Sequence, residues 1–294
     1  MDRRRGKRIL MAVAALAVVA AACGSDEKTG GDVETFPAGT TMAKLQDAGE
    51  ITIGVKFDVP PFGKKNPQSG DVEGFDVEMG KFIAAALGVE PKFVEAISDN
   101  RIPFLKDGTV DLILSTMTIT TDRDAEIDFS EPYFIAHGRI LVPGDSDIQG
   151  VADLAGRSVC TALGSTYEQN LKDSAPEAEL KLVDSYSECL ELVQTGSVDA
   201  VSTDDVILTG MIIQDPSLKL VGDELTVEPY GVGIKEGDAD FKAFVDGVIA
   251  DVKADGRWQE IFDTWVGKYT HEDATPPDLT LEEAYELRPC VETC

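Results

Sequence analysis

One pattern constrains the fold of this chain more than any other: a stretch in the first half returns in the second. Gly108-Thr109-Val110-Asp111-Leu112-Ile113-Leu114-Ser115-Thr116 is matched in pattern by Gly196-Ser197-Val198-Asp199-Ala200-Val201-Ser202-Thr203-Asp204. Both copies follow an amphipathic, helix-like run and open a strand-like run at a Gly-x-Val-Asp turn. Two similarly built lobes are expected. Each echo strand closes on hydroxyl or acidic residues, and in open α/β sheets ligands bind beyond the carboxyl ends of the strands. Two such ends facing each other define a cleft.

The surrounding sequence agrees. Ile51-Thr52-Ile53-Gly54-Val55 is a short β-type run, and Lys92 to Val94 suggests another. Phe75, Val77, Met79, Phe82, Ile83, Ala86 and Leu87 recur at helical spacing until Gly88 stops the pattern. Ile102 and Leu105 begin a further helix. Strand and helix signals alternate, which predicts an α/β protein with a mainly parallel sheet.

The chain is read as exported. Residues 1–22 combine a basic start (Arg3, Arg4, Arg5, Lys7, Arg8) with an apolar run from Ile9 to Ala22, the pattern of a secretory signal. Ala21 and Ala22 before Cys23 resemble the lipobox of bacterial lipoproteins, although Ala20 stands where leucine is usual. Cys23 is therefore the expected lipid anchor to the membrane, and the polar, glycine-rich residues 23–40 its tether. The net charge is −28; loss of the five basic residues and one acid in the leader makes it −32. Such a charge excludes nucleic acid as a partner, but not an anionic ligand, which is read by the few cations of a pocket. Export places Cys160, Cys189, Cys290 and Cys294 in an oxidising compartment. Three connectivities are open to them; the expected one joins Cys160, in a strand-like run, to Cys189, in a helix-like run, and Cys290 to Cys294. His137 and His271 lack neighbours at ligand spacing, so no metal and no cofactor is expected.

Gly74-Phe75-Asp76-Val77-Glu78, Ser115-Thr116-Met117-Thr118-Ile119-Thr120-Thr121-Asp122-Arg123, Asp128-Phe129-Ser130-Glu131-Pro132-Tyr133 and Leu163-Gly164-Ser165-Thr166 fall in one order along the chain. Together with the second echo, this series resembles the family-three extracellular solute-binding proteins for polar amino acids. Val55 to Pro60, Asn100-Arg101 and Glu228-Pro229-Tyr230-Gly231 look most like its glutamate- and aspartate-binding branch. The resemblance implies a two-lobed periplasmic-binding-protein-like fold (type II) with two crossover strands. By analogy lobe 1 takes residues 41–138 plus 233–270 and lobe 2 residues 139–232, leaving 271–294 as a C-terminal tail. It also implies a monomer that captures an amino acid and hands it to the permease of an ABC importer. A dehydratase-type enzyme or a sensory binding protein on the same fold are the alternatives.

A free amino acid carries an ammonium and a carboxylate on one carbon. Holding both in a dry cleft takes a cation, an anion and neutral donors. The family pattern puts Arg123 on the α-carboxylate, which suits its planar fork of donors. Thr121 and Asp124 form a capping-box pattern that places Arg123 in the first turn of a short helix. Ser165 and Thr166 precede Glu168 and Gln169 in another such pattern, and the N–H groups of that helix start would hold the same carboxylate. Asp204, with Asp205 as competitor, is expected on the α-ammonium, aided by Thr116 and Thr118. Lys56 and Arg101 are the candidates for reading an acidic side chain. Tyr230 belongs to the pocket or to the hinge. An aromatic is usual near position 59, where this chain has Val59, with Phe57 two residues earlier.

Overall fold

The computed structural model describes residues 34–270 and 274–288. The expected leader, the Cys23 anchor, the first part of the tether, His271 and the Cys290–Cys294 pair lie outside the described residues.

Two open sheets organise the chain. The first runs in the order Glu90–Glu95, Glu50–Val55, Leu112–Ile113, Gly233–Ile234, Asp128–Phe129. Its first three strands are parallel, and Gly233–Ile234 is antiparallel to both of its neighbours. The second runs Glu179–Val183, Ser158–Ala162, Ala200–Asp204, Phe134–Pro143, Leu218–Val221, again parallel at the start and antiparallel around Phe134–Pro143. The late return of Gly233–Ile234 to the first sheet means that the chain crosses between sheets twice. The crossovers, Phe134–Pro143 and Val227–Tyr230, pair antiparallel from Tyr230↔Phe134 to Val227↔His137. An isolated bridge from Thr118 to Tyr230 ties them to the segment that follows the first-sheet strand Leu112–Ile113. The two-lobed α/β architecture expected from the sequence is present.

Alternation along each strand explains why both sheets carry helices on both faces. In the second sheet Cys160 and Val201 enter one apolar cluster, while their chain neighbours Val159 and Ala200 enter the cluster on the other side. In the first, Leu112 and Ile113 divide in the same way. The helix Phe75–Leu87 ends as its periodicity predicts, at Gly88, whose φ of 72° suits glycine best. Cys160 and Cys189 form the expected disulfide, Cα to Cα 5.6 Å, joining a strand to the helix Tyr186–Gln194.

The sequence echo is a structural repeat. Asp111 accepts from the Thr52 N–H at 2.8 Å and donates its own N–H to the Thr52 carbonyl at 2.8 Å. Asp199 does the same with Ser158, at 2.8 and 2.9 Å. In each lobe the Gly-x-Val-Asp turn thus locks its strand in register beside the lobe's first parallel strand.

Candidate functional site

The first lobe brings three cations to one place. Lys56 directly follows the strand Glu50–Val55, and its Nζ donates to Ser98 Oγ at 2.8 Å. Arg101 opens the helix Arg101–Asp107. Its Nε donates to the Ser98 carbonyl at 3.0 Å, its Nη1 to the carbonyls of Ser115 and Thr116 at 3.0 and 3.1 Å, and its Nη2 to that of Gly164 at 3.3 Å. Arg123 lies in the four-residue helix Thr121–Asp124, as expected, but its cap is Thr120, whose hydroxyl accepts the Arg123 N–H, and not Thr121. Its Nη1 donates to the Thr118 carbonyl at 2.7 Å and its Nη2 to the Gly164 carbonyl at 3.0 Å. Burial, reinforced by the charge of Arg101, lowers the Arg123 guanidinium to about 9. Burial and Arg101 also hold the Lys56 ammonium well below its usual value.

The carbonyls that face Arg101 are set by a residue the sequence reading did not single out. Thr116 has φ 44°, a left-handed conformation uncommon outside glycine. Asp76 holds it there by accepting the Thr116 N–H at 2.8 Å, and Tyr133 donates its hydroxyl to the other Asp76 oxygen at 2.7 Å. Burial raises the Asp76 carboxyl to about 7.

The second lobe supplies the opposite sign. Asp204 ends the strand Ala200–Asp204, is 4% exposed, and accepts the Tyr167 hydroxyl at 2.9 Å. Burial, with the nearby Glu228 carboxylate, pushes its pKa up to about 8. Asp205, the competitor, turns away: it accepts the backbone N–H groups of His137 and Val206. Tyr186, placed in the first turn of its helix by the Ser185 cap, lies 5.7 Å from Lys56 Nζ at its ring centroid. Burial and Asp204 raise its phenol to about 12.

Most of these groups line one narrow, partly open cavity between the lobes. Arg101, Thr116, Thr118 and Arg123 line it from the first lobe, and Ser165, Thr166 and Asp204 from the second. Ser98, Tyr167 and Tyr186 complete the wall. Lys56 stands behind Ser98. Tyr230 lies in the crossover strand, fully buried; its hydroxyl faces Asp204 without a well-formed hydrogen bond, and burial, with the charge of Asp204, raises its pKa. The helix beginning at Tyr167 does not use the Thr166 hydroxyl as a cap. That group donates instead to Glu228 Oε2 at 3.0 Å. Phe57 is no part of the wall, since it packs on the first lobe's core beneath Lys65; the aromatic surface comes from Tyr167 and Tyr186.

Gly164 is one of the places where the lobes touch. Its carbonyl meets both arginines, and a Cβ at its φ of 72° would sit 2.6 Å from the Asp99 Cα. Only glycine allows the two backbones so close.

Of the residues missed from sequence, Asp76 and Glu228 stood inside quoted motifs, and Tyr167 and Tyr186 followed capping positions. Ser98 carried no signal. Among the described residues no group of acidic, histidine or cysteine side chains is placed to hold a metal ion.

Two α/β lobes joined by paired crossovers, with a polar cavity between them, define the architecture of a bilobal binding protein. The chain belongs to the bacterial extracellular solute-binding proteins, family 3, whose pattern it matches over residues 51–268. It is 39% identical over 253 residues to the ABC transporter glutamine-binding protein GlnH of Bacillus subtilis (strain 168), covering 85% of this chain and 92% of that protein. It is 30% identical over 293 residues to the glutamate-binding protein GluB of Corynebacterium glutamicum, covering 94% and 96%. Among solved structures, an ancestral arginine-binding protein bound to glutamine superposes with a TM-score of 0.71 at 36% identity, over 74% of this chain and 98% of that one.

Proposed function

We propose that this chain is the extracytoplasmic binding component of an ABC importer and that it captures an acidic amino acid, glutamate or aspartate, between its lobes. The observation that carries this is the sign of the cavity. Arg101 and Arg123 line it from one lobe, with Lys56 held behind Ser98, and the carboxylate facing them from the other is Asp204. A zwitterion alone would leave positive charge in surplus; a second carboxylate on the ligand balances it.

Arg123 has spent two of its five N–H groups on backbone carbonyls. The remainder form a fork for the α-carboxylate, beside Ser165 and Thr166. Asp204 takes the α-ammonium, with Thr116 and Thr118 adjacent. Arg101 faces the side-chain carboxylate, and Lys56 adds its charge from behind Ser98. Ligand bridges the lobes and favours closure only through contacts that the open form lacks. Moving such an equilibrium from 1:99 to 99:1 takes about 5.5 kcal/mol, within the roughly 8 kcal/mol of a micromolar ligand. An acyl chain on Cys23 would hold the protein beside its permease.

Glutamine is the second reading. It is supported by the name of the Bacillus subtilis relative and by Arg101, whose Nε, Nη1 and Nη2 all already face backbone carbonyls. A melting-temperature screen against the twenty amino acids, followed by calorimetry, separates the two, because a ligand bound only by the folded state raises its midpoint. Glutamate or aspartate should give the largest shift, and Lys56→Met should weaken them more than it weakens glutamine. A screen in which glutamine alone stabilises the protein removes the acidic reading.

A further inference from the structure

The segment after the family match carries a device of its own. Residues 274–288 dock on the first lobe and end on the second. Lys253 Nζ donates to the Pro277 carbonyl at 3.2 Å, the Leu281 N–H to Glu131 Oε2 at 2.8 Å, and Ala284 is fully buried in the cluster that contains Ile113, Ile119 and Phe129. Tyr285 donates its hydroxyl to Asp124, and the Arg288 carbonyl accepts the Thr121 N–H at 3.4 Å. Both contacts fall on the short helix that carries Arg123. The side chain of Arg288 then leaves this lobe. Its Nη2 donates to Asn170 Oδ1 at 2.9 Å, on the second lobe's helix Tyr167–Ser174, and its Nη1 meets Glu228 Oε1 at 3.2 Å, on a crossover strand.

Glu228 is fully buried, and it is the hub of this contact. Besides Arg288 it accepts from Thr166 Oγ1 at 3.0 Å, Asn170 Nδ2 at 3.2 Å and Thr226 Oγ1 at 2.6 Å. Thr166 lines the cavity. A buried carboxylate between the hinge and the binding helix is costly unless a cation joins it. Among the described residues Arg288 is the cation paired with it.

We infer that residues 274–288 form a latch across the mouth of the cleft, in which Arg288 is a positioning residue: by pairing with Glu228 and Asn170 it holds the second lobe, and Thr166 with it, against the lobe that carries Arg123. The latch rests on the proposed ligand site for its effect on binding, but not for its effect on shape. Closure places Arg288 between the two partners, and opening separates it from both while the tail stays docked on the first lobe.

The test uses the full chain with Arg288→Met and Arg288→Lys. Small-angle scattering on the ligand-free proteins reads the shape, and stopped-flow dissociation of L-glutamate, or of whichever amino acid the melting screen selects, reads the effect on binding. Arg288→Met should enlarge the radius of gyration of the ligand-free protein and raise the dissociation rate about tenfold or more, with the association rate little changed. Arg288→Lys, which keeps the charge, should restore part of both. Unchanged scattering together with an unchanged dissociation rate overturns the latch. A wild type that binds no amino acid defeats the ligand reading instead, and the scattering comparison still decides the latch. A Tyr285→Phe variant guards against misfolding: it keeps the tail's apolar docking and leaves Arg288 in place, so it should scatter like the wild type.

Discussion

The Asp204 carboxyl sets a pH dependence whose size follows from its surroundings. Its pKa is raised from 3.8 to about 8 by burial and by Glu228, so at neutral pH the empty cleft holds it mostly protonated. An α-ammonium needs the carboxylate, and binding therefore expels a proton. Ionising the group at pH 7, one unit below its pKa, costs about 1.4 kcal/mol. Affinity should rise by up to tenfold per pH unit and level off near pH 8, a gain of about 25-fold between pH 6 and 7.5. Titration calorimetry in buffers of different ionisation enthalpy reads both the affinity and the released proton. Asp204→Asn should bind weakly and lose the slope; running the series on Lys56→Met as well removes a neighbouring group whose proton demand is opposite. Stability should move the other way. A carboxyl whose folded pKa lies above its unfolded value favours the folded state at low pH, and that contribution is lost as pH rises from about 4 through about 8. Asp204→Asn should therefore raise the ligand-free melting temperature at pH 8 more than at pH 5. A flat affinity profile in the wild type, or the same slope in Asp204→Asn, refutes the assignment of the ammonium to Asp204.

Arg123→Ala should weaken amino-acid binding by about 2–5 kcal/mol, the range for breaking a buried charge pair, and calorimetry showing unchanged affinity takes Arg123 out of the site. Gly164→Ala adds a Cβ 2.6 Å from the Asp99 Cα at a left-handed φ, so the lobes should fail to close fully; scattering with saturating ligand should show a larger radius of gyration than the wild type. Replacing both Cys160 and Cys189 by alanine opens a bridge spanning 29 residues, for which chain entropy gives a loss of about 3–4 kcal/mol, measurable by urea unfolding.

How much of this was legible beforehand differs between elements. The helix Phe75–Leu87 and its stop at Gly88 were readable because apolar spacing and a left-handed glycine are local properties. The echo was readable because each Gly-x-Val-Asp turn makes the same backbone contacts, Asp111 to Thr52 and Asp199 to Ser158. The Thr121 cap was misplaced by one residue because Thr120 and Thr121 offer the same hydroxyl, and only the backbone, extended at Thr120, decides between them. Thr166 looked like a cap because a hydroxyl before a helix usually is one. A buried carboxylate 62 residues away claims it instead.

By itself the sequence determined the alternation of strands and helices, the repeated turn, the family and the identity of the charged residues near the strand ends. Those follow from periodicity and short-range backbone chemistry, which need no partner elsewhere in the chain. The tertiary structure alone decided which charges meet. It turned Asp204 inward and Asp205 away, gave the aromatic wall that the sequence left open to Tyr167 and Tyr186, and brought Arg288 from beyond the family match onto Glu228. Such pairings depend on the distance between residues far apart along the chain, and on how completely water is removed from between them, and neither quantity is written in local sequence.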